Sequence, residues 1–154
     1  MRHHSANAKK GFTLIEILLS ITLMGMMATT VIVALNPAKQ LSNARNAQRK
    51  SDIVNILAAL NQYVIEHSGT YPGSLTNTPT FICRTGKSIS DCAGLIDLRV
   101  LTDLDAYMSA MPVDPLASTS VSTGYTVYLN DLNGNALTVA APSAESGVVI
   151  SLTQ

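Results

Sequence analysis

The chain has no tryptophan, only two phenylalanines and five tyrosines, and only 13% of its 154 residues are charged. Basic residues are not interleaved with aromatics, so there is no platform for stacking nucleic-acid bases. The two cysteines have no histidine or further cysteine nearby and cannot complete a tetrahedral zinc shell. The sequence has no nucleophile elbow, no phosphate-cradling glycine loop and no HExxH pattern, so no motif supports an enzyme. Charge is also balanced, with ten basic residues against ten acidic ones. What remains is a 47% apolar fraction built on Ala, Leu, Ile, Val and Met, a composition of helices and membrane segments rather than of disorder.

The apolar residues are unevenly spread. From Phe12 to Leu35 the sequence reads FTLIEILLSITLMGMMATTVIVAL, with Glu16 as its single charge. As a helix this run would be about 36 Å long, enough to cross a bilayer. It is too long for the apolar core of a secretory signal peptide, and Leu35-Asn36-Pro37 offers no small-x-small cleavage site. A plain membrane anchor fits the length but not Glu16, because a carboxylate costs ~2.5 to 3.5 kcal/mol near the centre of a spanning helix. Arg2, Lys9 and Lys10 flank one end and Lys39, Arg45, Arg49 and Lys50 the other, so local charge does not orient the segment. Gly25 allows close helix approach, the neighbouring methionines are packing elements, and Thr29 and Thr30 are expected to bond back to their own helix backbone.

At the head of the run stands Lys9-Lys10-Gly11-Phe12-Thr13-Leu14-Ile15-Glu16, a basic pair followed by GFTLIE. This segment resembles the class III leader of type IV prepilins and of type II secretion pseudopilins. The resemblance implies that residues 1–11 are a leader cut off after Gly11 by a prepilin peptidase. The same enzyme would then methylate the new N-terminal amine on Phe12, and Glu16 would help align subunits during assembly. Residue types agree with these roles, since a glycine before the scissile bond leaves an extended backbone open to a protease. From Phe12 onward seven basic residues face ten acidic ones, and a weakly acidic mature chain argues against non-specific nucleic-acid binding.

Asn36-Pro37 should kink or restart the helix. In many relatives of the family it resembles, the helix-bending proline lies about one turn earlier. Beyond it, Leu41, Ala44, Ile53, Ile56, Leu57, Leu60 and Val64 recur at three- and four-residue spacings, predicting an amphipathic helix that ends near Ser68-Gly69 with His67 at its negative pole. Lys39, Arg45, Arg49 and Lys50 read as a solvated face of that helix, partly paired with Asp52. The stretch from Gly69 to Ile96 reads as a connecting loop, within which Cys83 and Cys92 read as a local disulfide in an oxidising compartment. Leu98, Leu101, Leu104 and Met108 suggest a short helix ending before Met111-Pro112-Val113-Asp114-Pro115. Three strands follow at Tyr125–Leu129, Ala136–Ala141 and Val148–Leu152, the first two joined by a turn containing Asn133-Gly134. Asp131, Asn133 and Asn135 alternate like calcium ligands, but the twelve-residue pattern with its terminal Glu is missing, which favours a turn.

The expected fold is α+β: a long N-terminal α-helix, its apolar half transmembrane, packed on a small antiparallel β-sheet head. Three parts are expected: a cleaved leader at 1–11, a transmembrane and filament-core helix at 12–35, and an extracytoplasmic head at 36–154. The resemblance implies a structural subunit of a type IV pilus, with a secretion pseudopilin and a membrane-anchored monomeric binding protein as alternatives. Its expected partners are other copies of itself in a helical homopolymer, a prepilin peptidase and N-methyltransferase, an assembly platform and the cytoplasmic membrane, with no specific nucleic acid. No cofactor and no metal are expected.

Overall fold

The computed structural model describes residues 11–130 and 136–154, leaving aside the side chains of 32–35. The described residues fall into two compact units, one running to Gln40 and the other from Leu41 to Gln154.

In the first unit, helix α1 runs Leu14–Leu35. Thr13 caps it: its backbone is extended, and its hydroxyl accepts a hydrogen bond from the Glu16 N–H at 3.3 Å. The helix ends at Asn36, which lies in the left-handed region at φ 43°. Helix α2, Pro37–Glu66, starts at once. Pro37 occupies the first helical position, where a missing N–H costs nothing. Asn36 serves both ends, because its backbone and side-chain oxygens accept from the Lys39 N–H at 3.0 and 3.3 Å. Asn36-Pro37 therefore separates two helices as the sequence predicted.

The head unit is built on the later part of α2 and a four-stranded antiparallel sheet. Its strands are β1 (Thr80–Cys83), β2 (Ser122–Asn130), β3 (Ala136–Ala140) and β4 (Ser151–Thr153), hydrogen-bonded in chain order. The helix stops where Ser68 and Gly69 turn left-handed and the Gly69 N–H reaches back to the Val64 carbonyl at 2.8 Å. Ile53, Ile56, Leu57 and Leu60 form the buried stripe of α2, the spacing one helix face requires. They share a core with Tyr125 and Val127 of β2, Leu137 and Val139 of β3, and Ile82 of β1. On β2 and β3 those residues alternate along each strand, and the register places Val127 opposite Val139 and Leu129 opposite Leu137.

Three readings of the secondary structure need correction. The segment from Gly69 to Ile96 is not all loop, since it contains β1, and Ile96 forms a parallel bridge with Ile82. The stretch around Leu98 to Met108 forms two 3-10 turns, Arg99–Leu101 and Asp103–Asp105, rather than a helix. Leu98 and Leu101 are buried, but Leu104 is fully exposed and left-handed, so the apolar stripe breaks there. The last strand is Ser151–Thr153 rather than Val148–Leu152. The Asn-Gly turn and the calcium-like alternation at Asp131, Asn133 and Asn135 lie outside the described residues.

Candidate functional site

The described part of helix α1 offers almost nothing but apolar side chain. Every described side chain from Phe12 to Val31 is exposed, and Leu14–Val31 is long and apolar enough to cross a membrane. A helix that is hydrophobic on all sides needs lipid or other helices around it. Its few polar groups are satisfied within the helix. Ser20 donates to the Glu16 carbonyl at 2.7 Å, Thr22 to that of Leu19 at 2.8 Å, and Thr29 and Thr30 to those of Met26 and Met27 at 2.8 Å each. One group is left over: among the described residues, the Glu16 carboxylate enters no ion pair. Gly11 and Phe12 precede the helix in exposed chain, and a Cβ placed on Gly11 would meet no atom within 4 Å. Lys9 and Lys10 lie outside the described residues.

The head holds a charged cluster that the sequence reading missed. Arg49 is not on a solvated face, because its side chain has 0% exposure. Its guanidinium grips Asp114 in a two-pronged pair at 2.6 and 3.1 Å, and a third nitrogen reaches Asn46 and Glu145 at 2.9 Å each. Arg45, one turn earlier, donates to the same Glu145 carboxylate at 2.6 Å. Asn46 pairs with the backbone of Glu145 in both directions, at 2.9 and 3.0 Å. Asp52 is not the partner of the basic set either, since it accepts from the Tyr125 hydroxyl at 2.6 Å.

These contacts lock α2 to the segments on either side of the β2–β3 hairpin. Asp114 is itself anchored, donating its N–H to the Thr123 carbonyl at 2.8 Å while its carboxylate accepts from the Leu116 N–H at 2.8 Å. Gly124 must be glycine for this to fit: its φ is +87°, and a Cβ there would sit 2.7 Å from the Asp114 Cβ. Hydrogen bonds from Arg45 and then Arg49 hold the Glu145 carboxyl down at about 2. The Asp114 and Glu145 bonds raise Arg49 above the ordinary arginine value despite its burial. The cluster is a saturated structural clamp, and among the described residues no buried side-chain polar atom lacks a partner.

Cys83, at the end of β1, and Cys92 are joined by a disulfide with a sulfur separation of 2.02 Å. It closes the loop that follows β1. Among the described residues no group of three or more His, Cys, Asp or Glu side chains is placed to hold a metal ion.

Residues 6–32 match the family model described as the prokaryotic N-terminal methylation motif. That motif is the class III prepilin leader of type IV pilins and pseudopilins, and the matched stretch takes in Gly11, Phe12, Glu16 and most of α1. It is a motif of structural subunits, not of an enzyme family. No curated protein and no solved structure matches the chain.

Proposed function

We propose that the chain is a structural subunit of a type IV pilus, made as a single-pass membrane precursor and assembled through α1 into a helical homopolymer. The carrying observation is the methylation motif at residues 6–32, set on a helix whose described side chains are all exposed. Such a helix has two low-energy surroundings, the bilayer before assembly and a bundle of its own copies afterwards. A prepilin peptidase cuts after Gly11 and methylates the Phe12 amine. The membrane assembly platform then draws the subunit into the filament, whose adhesion, twitching or DNA uptake would be properties of the polymer.

Glu16 supplies the register. In an apolar bundle both the Phe12 ammonium and the Glu16 carboxylate are costly alone, and placing one subunit's amine against the next subunit's carboxylate neutralises both. The head folds around its own clamp and core, so it needs no partner to bury its charge.

Two measurements test this reading. Intact mass of the membrane-extracted protein should show loss of residues 1–11 and one added methyl on Phe12, and Gly11→Val should retain the leader. Electron microscopy of sheared surface material should show long filaments containing the chain. Short assemblies confined to the periplasm would point to a secretion pseudopilin instead, and a processed chain that never polymerises would point to an anchored binding protein. A mature N-terminus near Ala34 would end the prepilin reading altogether.

A further inference from the structure

We propose that the head makes a head-to-tail contact with a second copy of this chain, in which Leu104 of one copy enters the apolar cavity beside Phe81 and Leu116 of the next. The contact rests on the filament reading above and adds a specific head interface to it.

Leu104 is the first observation. Its relative exposure is 102%, and it is held at φ 57° with Asp105 following at φ 55°. Two successive non-glycine residues in the left-handed region are a strained way to present a leucine to water. The base of this turn is nonetheless fixed, because the Tyr107 and Met108 N–H groups both donate to the carbonyl of buried Leu101 at 3.2 and 3.1 Å. The result is an apolar knob on a braced support.

The second observation is a hole of matching chemistry. An open cavity of ≈350 Å³ is lined by Phe81, Leu95, Leu116, Ala117 and Val121, with hydroxyls such as Ser118 among its lining groups. Phe81 and Leu116 are substantially exposed. That space accommodates a leucyl side chain, and Leu104 does not line the cavity of its own chain.

Charge supplies the third. Leu104 is flanked by Asp103 and Asp105, whereas the cavity side carries Arg84, whose Nε donates to the carbonyl of lining Ser122 at 2.7 Å. Among the described residues Arg84, Asp103 and Asp105 enter no ion pair, although Asp103 also feels the nearby Arg99 of its own chain. An acidic knob and a basic-edged hole are complementary across two copies. Within the helical homopolymer proposed above, the knob of each copy meets the hole of the next, a heterologous contact that repeats along the polymer, whereas a reciprocal exchange of knobs would stop at a dimer. One leucine is a weak contact alone, but copies held together by their helices meet at high effective concentration.

Paired cysteines test it in the full-length chain, with both membranes and sheared filaments examined without reductant. Leu104→Cys combined with Ser118→Cys should give a ladder of dimers, trimers and higher species, while Leu104→Cys combined with Val149→Cys, an exposed apolar position elsewhere, should not. A second variant separates contact from folding. Leu104→Gly removes the knob and relieves the left-handed strain, so the head should melt no lower than wild type while filament yield falls about tenfold or more. No ladder in either fraction, a ladder that stops at dimer, or full filament yield from Leu104→Gly would overturn the contact. A ladder in membranes from cells that make no filaments would keep the contact and overturn the filament reading instead.

Discussion

The first unit exposes every described side chain from Phe12 to Val31, whereas the head buries the charged side chain of Arg49 completely. The two units place their polar groups in opposite ways. In α1 each hydroxyl bonds to a carbonyl three or four residues back, so the polar chemistry is local and the apolar surface is left for surroundings yet to come. In the head, Arg49 finds Asp114 at a sequence separation of 65, and Asn46 finds Glu145 at 99. A unit built from local contacts is complete only within lipid or among other helices, and a unit built from distant ones closes on itself.

That contrast fixes where substitutions should hurt the head. The largest effect is expected from Arg49→Met, which strands Asp114 as a buried, unpaired carboxylate and should destabilise the head by ~3 to 5 kcal/mol. Chemical denaturation of the detergent-solubilised chain measures this, and a wild-type midpoint would show that the clamp contributes nothing. Leu60→Ala should come next, since Leu60 is fully buried at the centre of the helix stripe and its loss leaves a cavity costing about 2 to 5 kcal/mol. The equivalent truncation in the other unit, Leu18→Ala, should leave the head's denaturation midpoint unchanged, because Leu18 is exposed.

The disulfide ranks below these. Replacing Cys83 and Cys92 together by Ser releases a short loop and should cost roughly 2 to 3 kcal/mol in the chain-entropy model. Non-reducing peptide mapping should find the two cysteines joined in the wild type, and free thiols there would remove the expected difference.

The smallest effect is one of pH. Glu145 is held at about 2, below its ordinary 4.5, so its contribution is fully present above 4.5 and is lost as pH falls through about 2. Melting temperature measured between these values should drop on acidification, and Glu145→Gln should flatten that part of the curve. An unchanged slope in Glu145→Gln would mean that another group governs acid sensitivity.

The same local and distant division decides what could be read from the sequence. GFTLIE, the unbroken apolar run and Asn36-Pro37 are contiguous signals, so α1 and its boundary were legible, as were β2 and β3 from their alternation. The residues that place Arg49 in a buried clamp are spread over α2, the Pro-x-Asp-Pro turn and the segment after β3, and no periodicity connects them. A faint signal did exist. Arg49 lies four residues before Ile53 and seven before Ile56, on the apolar stripe itself, which is a poor position for a solvated cation. The turn at Leu104 went unseen for a related reason, because its apolar spacing is helical while its backbone is not.

Assembly through α1 is tested most directly at Glu16. With Glu16→Leu as the only copy, the chain should still insert, lose residues 1–11 and fold its head, since the head's core and clamp are built from head residues. The measurement is the amount of processed protein in the membrane fraction against that in the sheared filament fraction. The predicted result is normal processed protein in membranes with filaments sparse or absent. Wild-type filament yield and length from Glu16→Leu would contradict the account and leave α1 as a plain anchor.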